Sequence, residues 1–513
     1  MTSSVSDEET GGKISSNEET KDKTVSDTEI GAKPVNDEEC GEEVSWRCWI
    51  RTLFAASGAM MVFVFTGVTE AQSAVMLPQL KKPDSYIRVG PDEETWIASL
   101  GILLAPPSGI LVGPVIDAFG RKKGLLFFFL CMGLGFAVIA CATEVYHIYI
   151  GRCICAFAVG LEVVAVVYLA EISTKRQRSG FFSMMSVVFS GGVTLTYLIG
   201  GYLPWYIASA IFSAGCFAYF AVVCFAPESP AWLFKTGQID ASTKSFLRLG
   251  RSHVGIVAEL ENLKLSSKED DEKLEFKAFL EPTVWKPFVI LSMYHIFQCG
   301  TGVYDILYYT VDFVESLGTS YDPLPVSILL SVARFVTTAT LGIYFTASVS
   351  RRFATAFSAF WMAVTLAGTG VYTYVYRDTT QKPYDWFPIV CMLINIVASA
   401  LGVTSLPLLM SGEVFPLRVR GAMTGASFLI GLGALFVVVK IYAFCLQTLQ
   451  IWGLLFVYAV FSVLCVLLGV FLLPETQGKT LWEIEQGFLP KRERRRNGER
   501  RTEDTLGSGV IHK

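Results

Sequence analysis

Gly113-Pro114-Val115-Ile116-Asp117-Ala118-Phe119-Gly120-Arg121-Lys122 joins two apolar runs, and its reading governs the rest of the chain. Gly113 permits close approach of a neighbouring helix, Asp117 sets a carboxylate at the edge of an apolar slab, and Gly120 allows the tight turn that presents Arg121 and Lys122. A plain basic loop would explain the cations but not the glycines and the acid at their spacing. Outward from this loop, apolar runs of about 20 residues recur, as in Ile451 to Leu473, each long enough to cross a hydrocarbon core of about 30 Å.

The 513 residues are 52% hydrophobic and 17% charged, with mean hydropathy +0.47. So little charge excludes a soluble enzyme, a disordered protein and a nucleic-acid binder. Continuous apolar runs exclude an outer-membrane barrel, whose strands alternate. The formal charge of -4 divides unevenly: residues 1–45 hold 13 acids and 4 lysines, a net -9, which leaves +5 for the other 468. That acidic stretch is four near-repeats of ten residues starting at Val5, Ser15, Val25 and Val35; it has too little apolar surface to fold alone and reads as a disordered cytoplasmic tail. It lacks the basic start and early apolar run of a signal peptide. The twelve cysteines lie mostly inside apolar runs with no metal spacing and read as small fillers, so no disulfide framework, metal or cofactor is expected.

Twelve spans are expected, near 50–77, 95–117, 124–142, 146–171, 180–202 and 205–226, then 286–312, 325–349, 353–376, 387–412, 422–446 and 451–473. The fold class is therefore an all-α membrane protein: two pseudo-symmetric six-helix bundles (46–226 and 286–473) joined by a cytoplasmic helical linker (227–285), with a cytoplasmic tail at 474–513. Arg121, Lys122, Lys123, Arg351, Arg352, Arg418, Arg420 and the run Lys491 to Arg496 fall on one side, which the positive-inside rule makes cytoplasmic, together with both termini. The halves repeat: Glu171 precedes Arg178 by seven residues and Glu413 precedes Arg420 by seven, an offset of 242, while Arg121 and Arg351 occupy loops 230 apart. Duplicated halves mark a transporter that rocks about a site near mid-membrane.

The run 113–122 resembles the loop signature of the major facilitator superfamily; within it, Met76-Leu77-Pro78-Gln79-Leu80 and the short first external loop resemble the insect trehalose and related sugar transporters, and further motifs carry the resemblance to the sugar porter family as a whole. These motifs are Trp96-Ile97-Ala98-Ser99-Leu100, Gly151-Arg152, Tyr168-Leu169-Ala170-Glu171 with Arg178, Pro227-Glu228-Ser229-Pro230, Gly412-Glu413-Val414-Phe415-Pro416 with Arg420-Gly421, and Pro474-Glu475-Thr476-Gln477-Gly478. The resemblance implies a carrier of a trehalose- or hexose-like sugar in the plasma membrane, working as a monomer by facilitated diffusion, with no catalytic residues. It implies that Asp117, Arg121, Glu171, Arg178, Arg351, Arg352, Glu413 and Arg420 form cytoplasmic ion pairs that hold the halves together. It places substrate contacts at Gln298, Cys299, Thr301, Gly302, Tyr304, Tyr308, Tyr309, Arg334, Leu408 and Gly431.

At several of these positions the chain departs from the family pattern. Of three sugar-binding amides in the seventh span only Gln298 remains; the eighth-span Asn is Arg334, and the eleventh-span Asn-Trp is Gly431-Leu432. Meanwhile Glu70, Glu162, Asp305, Arg334 and Lys440 are ionisable residues inside apolar spans. Each would cost about 3 kcal/mol or more facing lipid, so they should face a cavity or pair. At about 1.5 Å per residue, Glu70 and Asp305 lie roughly 10 Å deep and Arg334 about 14 Å deep, which predicts that Arg334 pairs with Asp305 or Glu70. Lys440 could instead snorkel to the outer surface. The partners implied are a small polar solute and the bilayer. The alternatives to passive sugar transport are carriage of a charged solute, proton-coupled sugar symport, and a non-transporting membrane sensor.

Overall fold

The computed structural model describes residues 46–269, 279–379, 382–416, 419–479 and 481–489. The acidic repeat, Asp270 to Lys273 of the charged linker run, Arg418 and the basic run Lys491 to Arg496 lie outside the described residues. Among those described, all regular structure is helical.

Helix α1 (Trp46–Leu80) runs from a basic end, where Arg51 Nη1 donates to Leu247 O at 3.4 Å, to a far end, where Gln79 Nε2 donates to Gly200 O at 2.7 Å. The next crossing divides into α2 (Pro91–Leu103) and α3 (Ala105–Phe119), since Pro106 and Pro107 bring no N–H to the preceding turn. Gly120, with φ 101°, turns the chain into α4 (Arg121–Ala140). Then follow α5 (Val145–Gly160) and α6 (Val163–Ile172), one crossing interrupted at Leu161 and Glu162. Helix α7 (Lys175–Tyr202) begins on a capping box in which Thr174 and Gln177 bond each other's backbone N–H, and α8 (Trp205–Phe225) closes the amino half.

Three short helices follow: α9 (Pro230–Lys235), α10 (Ile239–Arg248) and α11 (His253–Glu269). They pack on the basic end of the amino half, with Tyr168 Oη donating to Pro227 O at 2.7 Å and Arg251 Nη2 to Ile172 O at 3.0 Å.

The carboxyl half opens with α12 (Pro282–Gly300), α13 (Val303–Tyr308) and α14 (Thr310–Ser316), broken at Gly302 (φ 76°). A side chain there would enter the ring of Tyr458 as well as strain the backbone, so only glycine fits. Next come α15 (Pro323–Thr337), a π-helical turn at Thr338–Gly342, α16 (Ile343–Ser348), α17 (Arg351–Val375), α18 (Trp386–Leu401) and α19 (Leu406–Val414). Helix α20 (Arg420–Leu467) leaves helical geometry at Gln450 (φ 53°, ψ 173°), and α21 (Leu481–Phe488) ends the described chain. Among the described residues ten helical runs are long and apolar enough to cross a bilayer; the last, Arg420–Leu472, is 53 residues long and contains the Gln450 kink.

Glycines set the closest approaches. Gly67 of α1 lies against Phe189 O of α7, and Gly192 of α7 against Val64 O of α1, so either helix would have to move to admit a methyl group. The breaks are related too. Gly160 ends α5 against Ala105 O, and Gly402, 242 residues later, ends α18 against Ala354 O.

Candidate substrate site

Two matching clusters occupy the basic end. In the amino half, Glu228 Oε1 accepts the N–H of Arg121 at 3.0 Å and of Lys122 at 2.9 Å, capping α4; a carboxylate at a helix amino end meets both unpaired donors and the helix dipole. The Arg121 side chain then pairs with Glu171 at 3.0 Å and with Asp117 at 3.0 Å, donates to Ile116 O at 3.0 Å, and Ser229 Oγ donates to Glu171. In the carboxyl half, Glu475 accepts the N–H of Arg351 at 3.0 Å and of Arg352 at 3.3 Å, capping α17. Arg351 pairs with Glu413 at 2.9 Å and donates to Thr346 O at 2.6 Å, and Thr476 Oγ1 donates to Glu413 at 2.5 Å. Burial works against the Glu475 carboxylate, yet the backbone N–H groups of Arg351, Gln477 and Arg352 hold its pKa below the usual carboxylate value.

Each of these three ion pairs lies inside its own half, where a lock between the halves had been expected. The other three arginines expected in the lock donate to backbone carbonyls: Arg178 to Ala170 O at 2.7 Å, Arg352 to Leu473 O at 2.6 Å and Arg420 to Phe415 O at 3.2 Å. Each repeated seven-residue spacing spans an inter-helix turn, so it does not set the arginine opposite its glutamate. Glu228, Ser229, Glu475 and Thr476 are the members that the sequence reading left out. Their signal was the Pro-Glu-Ser/Thr motif, repeated 247 residues apart.

Contact between the halves is concentrated elsewhere. Polar bonds join them from mid-bundle to the far end: Thr194 Oγ1 to Ser331 O at 3.1 Å, Tyr197 Oη to Leu307 O at 3.0 Å and to Thr310 Oγ1 at 2.5 Å, and Ser73 Oγ to Tyr308 O at 3.0 Å. At the rim, Lys81 pairs with Glu94 and Asp312, both at 3.0 Å, and Lys440 Nζ lies 2.7 Å from Thr95 Oγ1 and 3.8 Å from the centre of the Trp96 ring. Lys440 therefore bridges the halves, where snorkelling had been considered. Burial works against the Lys81 ammonium, but Asp312 and Glu94 outweigh it and raise its pKa. Helix α7 records the gradient along one axis. A methyl group built on Gly201 would meet Leu324 at 2.6 Å, on Gly191 it would meet Phe335 at 3.4 Å, and on Gly180, at the basic end, it would meet nothing within 4 Å.

Between the halves lies a narrow cleft, with a cavity volume of about 20 Å³, lined by Tyr197, Leu307, Thr310, Ser331, Arg334 and Ser399, among others. Arg334 rests 5.8 Å from the Phe189 ring centre and makes no ion pair with Asp305 or Glu70. Asp305 turns instead into the carboxyl half, where Tyr458 Oη donates to its Oδ2 at 2.5 Å; its Oδ1 is buried without a partner, as is Glu70 Oε2. Tyr304 is partly accessible and within electrostatic reach of Glu70, Glu162 and Arg334.

The other expected contacts are mainly packed. Gln298 Nε2 reaches Thr404 O at 3.5 Å, Cys299 Sγ reaches Gly431 O at 3.7 Å, and Thr301 Oγ1 donates to Gln298 O at 2.7 Å. Tyr309 stacks on Tyr442 at 4.3 Å, and the Tyr308 side chain is buried. Leu408 is set apart, 55% exposed. The hydroxyls of Ser73, Thr194, Tyr197 and Thr310 were missed, because small polar residues in an apolar span carry no sign of which way they face.

Residues 51–488 match the family of sugar (and other) transporters. The chain belongs to that family. It is 29% identical over 454 residues to a facilitated trehalose transporter of Bombyx mori, covering 86% of this chain and 87% of the relative, and 25% identical over 442 residues to one of Apis mellifera ligustica, covering 85% and 88%. Among solved structures it is similar to the major facilitator proton:xylose symporter XylE bound to 6-bromo-6-deoxy-D-glucose (TM-score 0.68, 20% identity, 86% of this chain and 100% of that one). It is also similar to the inward-open XylE of E. coli (TM-score 0.70, 19% identity, 85% and 99%). These structures share its fold, the major facilitator fold, and family membership makes this chain a membrane-embedded transporter.

Proposed function

We propose that this transporter carries a trehalose- or hexose-like sugar across the plasma membrane by facilitated diffusion with alternating access. Family membership supports this reading, as do the names of its relatives. In this reading the chain crosses the membrane twelve times, counting the kinked α20 run as two and α12 to α14 as one. The bundles are 46–226 and 286–473, the linker 227–285 and the tails 1–45 and 474–513 lie in the cytoplasm, and the protein works as a monomer without covalent chemistry. Its gating residues are Asp117, Arg121, Glu171, Arg178, Arg351, Arg352, Glu413 and Arg420, and its solute meets Gln298, Tyr304 and Arg334, with Cys299, Thr301, Gly302, Tyr308, Tyr309, Leu408 and Gly431 shaping the path.

The observation that carries the reading is the one-sided contact between the halves. They are bonded from mid-bundle to the far end, while Gly180 at the basic end of α7 meets nothing. This contact pattern supports a state closed at the far end, one of the two states that alternating access requires. Uptake of labelled trehalose and glucose into liposomes holding the full-length protein tests it. Saturable uptake with accelerated exchange is expected; leakage linear in concentration, or none above empty liposomes, would reject the sugar reading. Proton symport is a second reading, favoured by the electrostatic proximity of Glu70 to Arg152, and it predicts that uptake rises with an inward proton gradient.

A further inference from the structure

The two clusters at the basic end are twins by sequence, and they differ at two places. Asp117, four residues before Arg121, gives that arginine a second carboxylate at 3.0 Å. The equivalent position, 230 residues later, is Ala347, and among the described residues the Arg351 side chain pairs with Glu413 alone. Trp232, four residues after Glu228, sets its ring beside Gly120, where a methyl group would meet it at 3.3 Å, and donates from Nε1 to Asp117 O at 2.8 Å. Its equivalent, four residues after Glu475, is Lys479. Between them Gly478 (φ 71°) turns the chain where Ala231 continues α9. One acid is lost and one base gained, so the carboxyl cluster is two charges more positive than the amino one.

At that turn lies a polar cavity of about 310 Å³, lined by Arg351, Arg420, Lys479, Glu413 and Thr476, with buried Ile484 of α21 as an apolar wall. Its three cations are not equally committed. Arg351 is buried, and its guanidinium takes Glu413 at 2.9 Å and Thr346 O at 2.6 Å, while Thr476 Oγ1 holds the same carboxylate at 2.5 Å, so this acid and this base cancel. Arg420 donates from Nε to Phe415 O at 3.2 Å, and Lys479 is exposed; among the described residues neither is in an ion pair. Glu485, within electrostatic reach of Arg420, offsets part of the excess. A guanidinium fork and an ammonium lining one pocket repel each other until an anion enters. A phosphomonoester suits them: it carries about -1.5 to -2 charge at pH 7 and three acceptor oxygens, two for the fork and one for the ammonium. A carboxylate brings one charge and two oxygens, and leaves one cation unmatched. The volume is at the small end of ligand pockets, which run from about 300 to 1,000 Å³, and leaves room for the short chain that bears the phosphate.

We propose that this cavity binds a phosphomonoester, free or borne on a lipid headgroup, with Arg420 and Lys479 as its ligands. The proposal does not depend on which solute crosses the membrane. The test is binding to the purified full-length protein, read as the shift of its thermal unfolding midpoint. Glycerol 3-phosphate in detergent is the free probe, with sodium chloride at equal ionic strength as its control. Phosphatidylcholine nanodiscs with added phosphatidic acid give the lipid-borne form, and the same discs with phosphatidylglycerol, a phosphodiester of single charge, are their control. A saturable rise with glycerol 3-phosphate is expected, with at least tenfold weaker affinity in Arg420→Gln and in Lys479→Trp, which puts the residue of the amino twin at the cavity. A rise with phosphatidic acid, lost in Lys479→Trp and not given by glycerol 3-phosphate, would support the site and make the lipid its source. Chloride matching glycerol 3-phosphate, phosphatidylglycerol matching phosphatidic acid, or an unchanged response in Lys479→Trp would each overturn the proposal, as would no shift with either phosphomonoester. Lys479 is exposed, so Lys479→Trp decides even where Arg420→Gln fails to fold.

Discussion

Tyr458 holds Asp305 by a 2.5 Å hydrogen bond, the one bond that this buried carboxyl group makes among the described residues. The two lie 153 residues apart, on α13 just past the Gly302 break and on the last crossing. Removing one partner strands a buried polar group, at a cost of about 1–3 kcal/mol. Tyr458→Phe should therefore lower the thermal unfolding midpoint in detergent, whereas Asp305→Leu with Tyr458→Phe should lower it by less than the two single changes together. Strictly additive losses would show that the pair is not coupled.

The rim pair at Lys81 holds the far end shut. Since its folded pKa is raised, its contribution is complete below the ordinary lysine value of 10.5 and disappears as pH climbs through the raised one. Labelling of Ser327→Cys by an impermeant maleimide, divided at each pH by the labelling rate of the unfolded protein to remove the change in thiolate fraction, should thus stay flat from about pH 6 to 9. Lys81→Met should raise that labelling by no more than about fivefold, because the lysine is 39% exposed and such pairs are worth about 1 kcal/mol or less. A fall in labelling would contradict the assignment.

At the opposite end Glu475 caps α17. Its carboxyl pKa is depressed below 4.5, so its stabilisation is present above that value and is lost as pH falls through the folded value. Glu475→Gln should cost about 1 kcal/mol at pH 7 and shrink the acid-side loss of stability, read from unfolding midpoints between about pH 3 and 6. An unchanged acid limb would reject this role.

Glycine position should separate packed from open surface. Gly192→Ala puts a methyl against Val64 O and should cost about 1–3 kcal/mol, while Gly180→Ala meets nothing and should gain up to about 1 kcal/mol in helix propensity. Unfolding midpoints of the two variants decide; equal shifts would argue that α1 and α7 do not pack this closely at Gly192.

The loop at 113–122, the repeated motifs and the apolar runs were enough to place the chain in its fold, because crossing a bilayer leaves so few choices of backbone. The site was less legible, and for a geometric reason. Counting residues gives height along a helix but not rotation about it. Arg334 and Asp305 lie at comparable depths, yet one lines the cleft while the other faces Tyr458 inside its own half. Pairs separated by a turn failed for a related reason. Arg178 follows Glu171 by seven residues, but Ser173 and Thr174 lie between two helices, and Arg121 takes the glutamate instead. The caps at Glu228 and Glu475 could have been read, since a recurring acid beside a helix start asks for free N–H groups.

The segment α13–α14 belongs to the carboxyl half by sequence, but Ser73, Tyr197 and Lys81 stitch it to the amino half. Tyr458, at Asp305, ties it back to its own side. When the far end parts, either the stitches break or the segment swings away about Gly302. In the second case the joint on which this carrier works runs inside one repeat, and the seam of the machine is not the seam of its ancestry.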